Sequence, residues 1–224
     1  MNLSLRAAFL AGFVPPAAGL YFNGLELLAE ADRGAGLELA KRIGTEREAV
    51  VQKRDAALAG LDQAEELQRD LGLQPVPRPD GSGEFSTWAE TVFAASTDAI
   101  AEAKTPGSPH AIAHLLGYVL GEALATLDAI AVLSRLRDLA PEHLWMRVQG
   151  DSLERERETG ERRLARLAAH PLLSEEVRTA TALAAHAVAE AGPGGGYWAR
   201  AARAEAAVAA LHEQADAIRA ALPA

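Results

Sequence analysis

The chain has 224 residues, a formal net charge of -9 and no cysteine. The length suits one domain or two small ones, and a hydrophobic share of 49 % is enough for a core and too high for a disordered chain. The acidic balance disfavours nonspecific nucleic-acid binding, and the lack of cysteine excludes disulfides, thiolate nucleophiles and cysteine-ligated metals. Because alanine and leucine dominate and strand formers are few, we expect an all-α fold.

The N-terminal part of the chain predicts a pair of helices. The stretch from Met1 to Phe22 combines one arginine with an apolar run, as signal peptides do, but Pro15 and Pro16 interrupt the run. We therefore expect a retained segment of a cytoplasmic protein and a helix that begins at Pro16. The second helix, about 37–71, repeats apolar residues every seven positions, as coiled coils do: Ile43, Val50, Ala57, Ala64 and Leu71.

A segment rich in proline and glycine, 72–84, predicts a linker between the helical pair (16–71) and a main bundle (85–222). Within the bundle, the first predicted helix runs from a capping box at Thr87 to about Lys104. We expect residues 1–224 to form a single all-α domain, a bundle of six to eight helices.

The most apolar predicted helix, about 109–139, has Ser108 as its N-cap and Pro109 at its first position. Its apolar stretch is long enough to cross a bilayer, but three ionisable side chains interrupt it. We therefore predict the buried central helix of the bundle and no membrane association.

Three further helices follow the central one. Pro141 starts a helix whose residues 151–166 carry interleaved charges, which predicts a solvated surface. Ser174 opens the next helix, and the glycine-rich 192–196 predicts a joint. The last helix has a narrow apolar stripe: Trp198, Ala201, Ala204, Val208, Leu211, Ala215, Ile218 and Leu222.

Two rows of residues at a spacing of four distinguish the central helix. One row is small and predicts close packing of a second helix backbone: Ala113, Gly117, Gly121 and Ala125. The neighbouring row is polar, with Asp128 beside it: His114, Tyr118, Glu122 and Thr126. Polar side chains on an apolar helix must be hydrogen-bonded, paired or metal-bound when buried. We expect either satisfied core packing or a ligand pocket formed by His114, Tyr118, Glu122 and Asp128.

A metal site is the third interpretation of this helix. His110 and His114 lie on adjacent turns, a spacing at which two imidazoles can hold one divalent cation. Glu122 is about 12 Å further along the axis, too far to join them. A third ligand would have to come from another helix, with candidates at Glu90, Asp98 and Glu102.

These patterns favour a non-enzymatic helical protein that associates with itself or with a helical partner. The seven-residue repeat and the stripe of the last helix are the reasons. The alternative is a protein, with or without enzymatic activity, that binds a small ligand or a metal around His110, His114, Tyr118 and Glu122. A divalent metal at that site is the only cofactor considered. No helix-turn-helix with a basic second helix precedes the bundle, which disfavours a transcription regulator.

Overall fold

The structure, a computed structural model, describes residues 4–18, 105–139 and 144–223, and these residues form five α-helices and no strand. The helices are α1 (Leu5–Ala18), α2 (Pro109–Leu139), α3 (Leu144–Ala168), α4 (Glu175–Glu190) and α5 (Tyr197–Ala221). The all-α prediction is confirmed for this part of the chain. The total of six to eight helices stays a prediction, since the linker 72–84 and the seven-residue repeat lie outside the described residues.

Helix α2 begins where its capping residues predict. The backbone N–H of Ala111 donates to Ser108 Oγ at 3.2 Å, and Pro109 occupies the first turn, where its missing N–H leaves no bond unmade. A serine N-cap also begins α4, where Ser174 Oγ accepts a hydrogen bond from the backbone N–H of Val177. Local side chains therefore fix both helix starts.

Helices α1 and α2 run in the same direction with their backbones in contact. A methyl group on Gly12 would lie 2.8 Å from the backbone nitrogen of Tyr118, and one on Gly117 would lie 2.9 Å from the backbone nitrogen of Phe13. A methyl group on Gly121 would lie 2.6 Å from the carbonyl oxygen of Phe13. Phe9 and Phe13 stack at 5.7 Å between ring centroids. Only glycine permits this close approach.

The first helix differs from the sequence prediction, because α1 starts upstream of Pro16 and passes through both prolines to Ala18. Proline inside a helix costs about 3 kcal/mol because it removes a hydrogen bond and crowds the preceding turn. Residues Ala8, Phe9 and Ala11 are almost fully buried. The free energy of burying this segment against α2 offsets the cost of the two prolines. The spacing of apolar residues in the sequence does not reveal that stabilisation.

Helices α2 to α5 form an antiparallel bundle in which α2 packs against α3 and α5, and α4 covers the far side of both. The core holds large side chains of α2, chiefly Leu116, Leu120, Leu124 and Leu127. At one end of the bundle Arg6 of α1 donates to the carbonyl oxygens of Arg219 and Leu222, at 3.0 and 3.1 Å. The charge of Arg6 thereby complements the C-terminus of α5.

Buried arginine Arg157 ties α3 to its neighbours, although the sequence predicts a solvated surface for this stretch. Its side chain is only 6 % exposed and pairs with Glu154 at 2.7 Å and with Glu161 at 3.2 Å. It also donates to the carbonyl oxygen of Val188 near the end of α4, at 3.0 Å. Glu154 in turn pairs with Arg200 of α5. The charged stretch is therefore solvated on some faces and buried on another.

The segment Pro109–Arg135 of α2 is long and apolar enough to span a membrane, with a mean hydropathy of 1.6 in its most apolar window. However, 83 % of that window is buried inside the fold. The core helix of a soluble protein can have the same length and composition.

Candidate functional site: a polar groove between α2 and α3

A groove of about 380 Å³ lies between α2 and α3. Its volume falls within the range of small-molecule sites. Each helix contributes residues spaced three and four apart, so each wall is a single helix face. The wall from α2 consists of Val119, Glu122, Ala123 and Thr126, and the wall from α3 consists of Ser152, Arg155, Glu156, Thr159, Gly160 and Arg163.

Small side chains form the floor of the groove at the point where the two helices face each other. A methyl group built on Gly160 would meet the Cβ of Ala123 at 3.5 Å, an ordinary van der Waals distance. Gly160 differs in this respect from Gly12 and Gly117, whose methyl groups would collide with backbone. Glycine in a helix interior costs about 1 kcal/mol relative to alanine. Helix packing does not require glycine at 160, and its main effect is to leave the floor open.

Glu122 stands on the α2 wall with the phenol of Tyr118 one turn away, close enough for a hydrogen bond. Partial burial raises the pKa of the Glu122 carboxyl, and repulsion from Glu156 raises it further. The guanidinium of Arg163 and the Tyr118 hydroxyl act in the opposite direction without cancelling the rise. Of the two charged neighbours, Glu156 therefore has the larger effect at Glu122.

The pKa of Tyr118 is raised as well, first by burial and then by the nearby charge of Glu122, with Arg163 opposing. Its phenol therefore stays protonated across the physiological range and can donate a hydrogen bond. Glu122, Tyr118 and Arg163 thus influence one another across the interface of the two helices. The groove contains an electrostatically coupled group rather than isolated charges.

The charged side chains of the groove differ from those on the opposite face of α3. That face has salt bridges joining Arg157, Glu154 and Glu161. By contrast, none of the salt bridges that the structure shows among residues 4–18, 105–139 and 144–223 involves Glu122 or Arg163. The Nε of Arg155 donates to the backbone carbonyl of Asp151 at 3.2 Å rather than to a carboxylate. The groove therefore presents charges of both signs to solvent.

Two hydroxyl groups in the groove are oriented by their own helices. Thr126 Oγ1 donates to the carbonyl oxygen of Glu122 at 2.9 Å, and Thr159 Oγ1 donates to that of Arg155 at 2.8 Å. Each hydroxyl proton is thereby used, and the oxygens can act only as acceptors. Thr159 Oγ1 already accepts from Nη2 of Arg162 at 3.3 Å. The hydroxyl of Ser152 donates to Oε1 of Glu156 at 3.5 Å. The acceptors that remain around Glu122 and Glu156 are therefore the carboxylate oxygens and Thr126 Oγ1.

The structure separates the residues that the sequence groups on α2. Tyr118 and Glu122 lie together beside the groove, with Thr126 in its wall. His110 lies in the first turn of α2, and the backbone carbonyl of His114 lies against Gly12 of α1. Neither histidine lines the groove. Of the four residues in the polar row, His114 is therefore the one whose backbone lies at the α1 interface and which does not line or adjoin the groove.

Asp128 also lies away from the groove, since its residue is 3 % exposed and buried in the bundle. It lies close enough to His212 of α5 to favour the charged imidazole, as does Asp216. Burial outweighs both carboxylates and lowers the pKa of His212. Asp128 is thus placed at the α2–α5 contact.

The small row of α2 is divided in a similar way. Ala113 and Ala125 are buried, at 1 % and 8 % exposure. Gly117 and Gly121 are the positions at which the α1 backbone approaches α2. Among the described residues no three histidine, aspartate or glutamate side chains converge as metal ligands. The candidate third ligands Glu90, Asp98 and Glu102 lie outside those residues.

Sequence reasoning missed the α3 wall of the groove, because its interleaved charges favour a solvated helix. Two signals were present. The residues Ser152, Arg155, Glu156, Thr159 and Arg163 share one helix face, and Gly160 sits on that face without a capping or turn role. Only the pairing of α2 with α3 turns that face into half of a site.

No protein-family model, curated protein or solved structure matches the chain. Functional inference accordingly depends on the groove and its chemistry.

Proposed function

We propose that the protein binds a small polar ligand in the groove between α2 and α3. The observation that carries this proposal is the open groove itself, which four charged side chains line without forming salt bridges among themselves. Elsewhere on α3 the glutamates and arginines bind each other, as at Arg157 and Glu154. Seven of the ten residues that line the groove are polar or charged, which favours a polar ligand over an apolar one.

A groove-filling variant tests this proposal. Gly160→Leu places a four-carbon side chain on the groove floor, whereas Ala165→Leu adds one at an exposed position of the same helix. A thermal-shift screen would cover amino acids, amines, carboxylates, sugars and phosphorylated sugars. We expect at least one compound to raise the Tm of the wild-type protein and of Ala165→Leu, and to lose that effect on Gly160→Leu.

Two results would overturn the proposal. One is that no compound class stabilises the wild-type protein. The other is that the stabilising compounds act equally on Gly160→Leu and Ala165→Leu, because binding would then occur away from the groove. Measurement of the Tm without any compound shows whether each variant is folded.

Self-association is the second candidate function, and what supports it is the repeat from Ile43 to Leu71. The second reason for self-association was the apolar stripe of the last helix. This reason is weakened, because most of the stripe is buried against other helices of the same chain. Ala204, Leu211 and Ile218 are fully buried in the bundle. A homo-oligomer or helical partner would therefore use the repeat rather than α5. Two further expectations from the sequence stay proposals: a cytoplasmic location, and a total of six to eight helices for the whole chain.

A further inference from the structure

We infer that the ligand of the groove is a zwitterion, with an ammonium group between Glu122 and Glu156, an acidic group at Arg163, and an aliphatic chain between the two. This inference rests on the proposed function and names the chemical class of the ligand. The charged, acceptor and apolar residues of the groove each constrain one part of that ligand.

The carboxylates define the position of the ammonium group. Glu122 and Glu156 line the same groove from opposite helices, so both carboxylates can approach one cation. The oxygen of Thr126 adds an acceptor, since its proton is donated to the backbone carbonyl of Glu122. An ammonium group has three donors and no acceptor, which fits such a set. It also relieves the repulsion between the two carboxylates.

Arg163 defines the position of the acidic group. It lies one turn beyond Gly160 at the Val119 end of the groove, and it forms none of the salt bridges among the described residues. A guanidinium binds a carboxylate or a phosphate through two parallel hydrogen bonds. At the other end, Nε of Arg155 already donates to the carbonyl of Asp151, which leaves only its two Nη groups. Among the described residues Arg163 makes no such bond, so its whole guanidinium fork can bind an anion.

The distance along α3 and the groove floor define the middle of the ligand. Glu156 and Arg163 are seven residues apart, about 10 Å along the helix axis. Between them the floor consists of Val119, Ala123 and Gly160, which offer only apolar surface. A chain of several methylene groups fits this floor. The four charged side chains of the groove sum to zero, so a ligand with one charge of each sign keeps the net charge of the groove at zero.

Matched probes test this inference directly. The zwitterion 6-aminohexanoate carries both charges on a five-methylene chain, whereas hexanoate and hexylamine each carry one charge on a similar chain. Calorimetric titration of the wild-type protein should give an affinity for 6-aminohexanoate at least about tenfold above that for either single-charge probe, the ratio expected when one charge-assisted hydrogen bond is lost.

Variants of the groove assign each end of the ligand. Arg163→Gln should reduce the affinity for 6-aminohexanoate to that for hexylamine, and Glu156→Gln should reduce it toward that for hexanoate. Arg166→Gln and Glu158→Gln are matched controls, because both residues are exposed on α3 and do not line the groove. Neither control should change the affinity. The wild-type affinity should fall as salt is added.

Other results would overturn the inference. Equal binding of hexylamine and 6-aminohexanoate would indicate a simple cation site. Equal effects of Arg163→Gln and Arg166→Gln would remove Arg163 from the site. If the thermal-shift screen finds only an uncharged compound that Gly160→Leu excludes, the zwitterion is wrong and the proposed function stands. If no compound binds at all, both fall.

Discussion

Glu122 shows how a single residue on an apolar helix depends on the helix packed beside it. On α2 alone it is a polar side chain one turn from Tyr118. The approach of α3 adds Glu156 and Arg163, and it removes water from part of the carboxyl group. The combined effect raises the pKa of Glu122, because burial and repulsion both disfavour the charged form.

A pH dependence of stability follows from that shift. The folded protein holds the Glu122 proton more tightly than the unfolded chain does, so this residue lowers the free energy of unfolding as the pH rises above its ordinary pKa of 4.5. Glu122→Gln removes the ionised form. We expect the variant to have a higher Tm than the wild type near pH 7 and the same Tm at about pH 4.

Thermal unfolding across this pH range, followed by circular dichroism, checks the prediction. Glu158→Gln is the matched control on the exposed surface of α3. A difference between Glu122→Gln and the wild type that stays constant at every pH would contradict the prediction. It would show that the substitution acts through packing rather than through titration.

At the level of helices, glycine has two opposite effects in this protein. Gly117 permits the backbone contact between α1 and α2, whereas Gly160 leaves an open floor between α2 and α3. Both glycines lie inside helices, where the residue carries the same intrinsic cost. The neighbouring helix alone decides which glycine stabilises the fold.

Alanine substitutions should therefore change stability in opposite directions. Gly117→Ala places a methyl group against the α1 backbone and should lower the free energy of unfolding by about 1–3 kcal/mol or more, as overpacking does. Gly160→Ala meets only ordinary contact and should raise it by about 0.5–1 kcal/mol. Urea denaturation measures both changes. Destabilisation by Gly160→Ala would show that the two helices lie closer than described.

The α3–α4–α5 contact depends on a buried charge. Arg157 satisfies two carboxylates and the carbonyl of Val188 with one guanidinium. Without Arg157 the buried carbonyl of Val188 loses its donor, and Glu154 keeps only Arg200 as a partner. A buried polar group left without a partner typically costs about 1–3 kcal/mol, so we expect Arg157→Met to lower the free energy of unfolding by about 2 kcal/mol.

The exposed Arg162 provides the control for this prediction, because it lies on the same helix and bonds only its own helix. Arg162→Met should change the free energy of unfolding by less than about 0.5 kcal/mol. Equal effects of the two substitutions in urea denaturation would mean that Arg157 contributes no more than a surface arginine.

At the scale of the whole molecule, self-association requires an apolar surface that the bundle does not bury. The bundle covers most of the stripe on α5, so the seven-residue repeat is the remaining sequence feature that favours self-association. Val50 lies within that repeat, at a position that a coiled coil would bury. The oligomeric state should therefore respond to Val50 and not to exposed residues of the bundle.

We expect a dimer at tens of micromolar that becomes a monomer on Val50→Asp, because a buried carboxylate disfavours a coiled-coil interface. Leu183→Asp, at an exposed position of α4, is the control and should leave the dimer intact. Native mass spectrometry reports both mass and any bound ligand. A strictly monomeric wild-type protein would contradict self-association.

The sequence by itself determined the helical class and the starts of α2 and α4. Composition and local capping set these features, and Ser108 and Ser174 act within a few residues of their own positions. It also identified the apolar helix α2, which packs against α1, α3 and α5, and it predicted Tyr118 and Glu122 as candidate site residues. Helical periodicity and capping are local properties, so a single chain reveals them without its fold.

Only the tertiary structure decided what those residues face. The packing of α1 against Gly117 stabilises a helix that continues through Pro16. It also places the backbone of His114 at the α1 interface instead of beside the groove. The approach of α3 brings Glu156 and Arg163 to Glu122, about 30 to 40 positions away in sequence. Such proximity depends on how helices pair, and pairing is set by the summed burial of whole helix faces rather than by any local pattern.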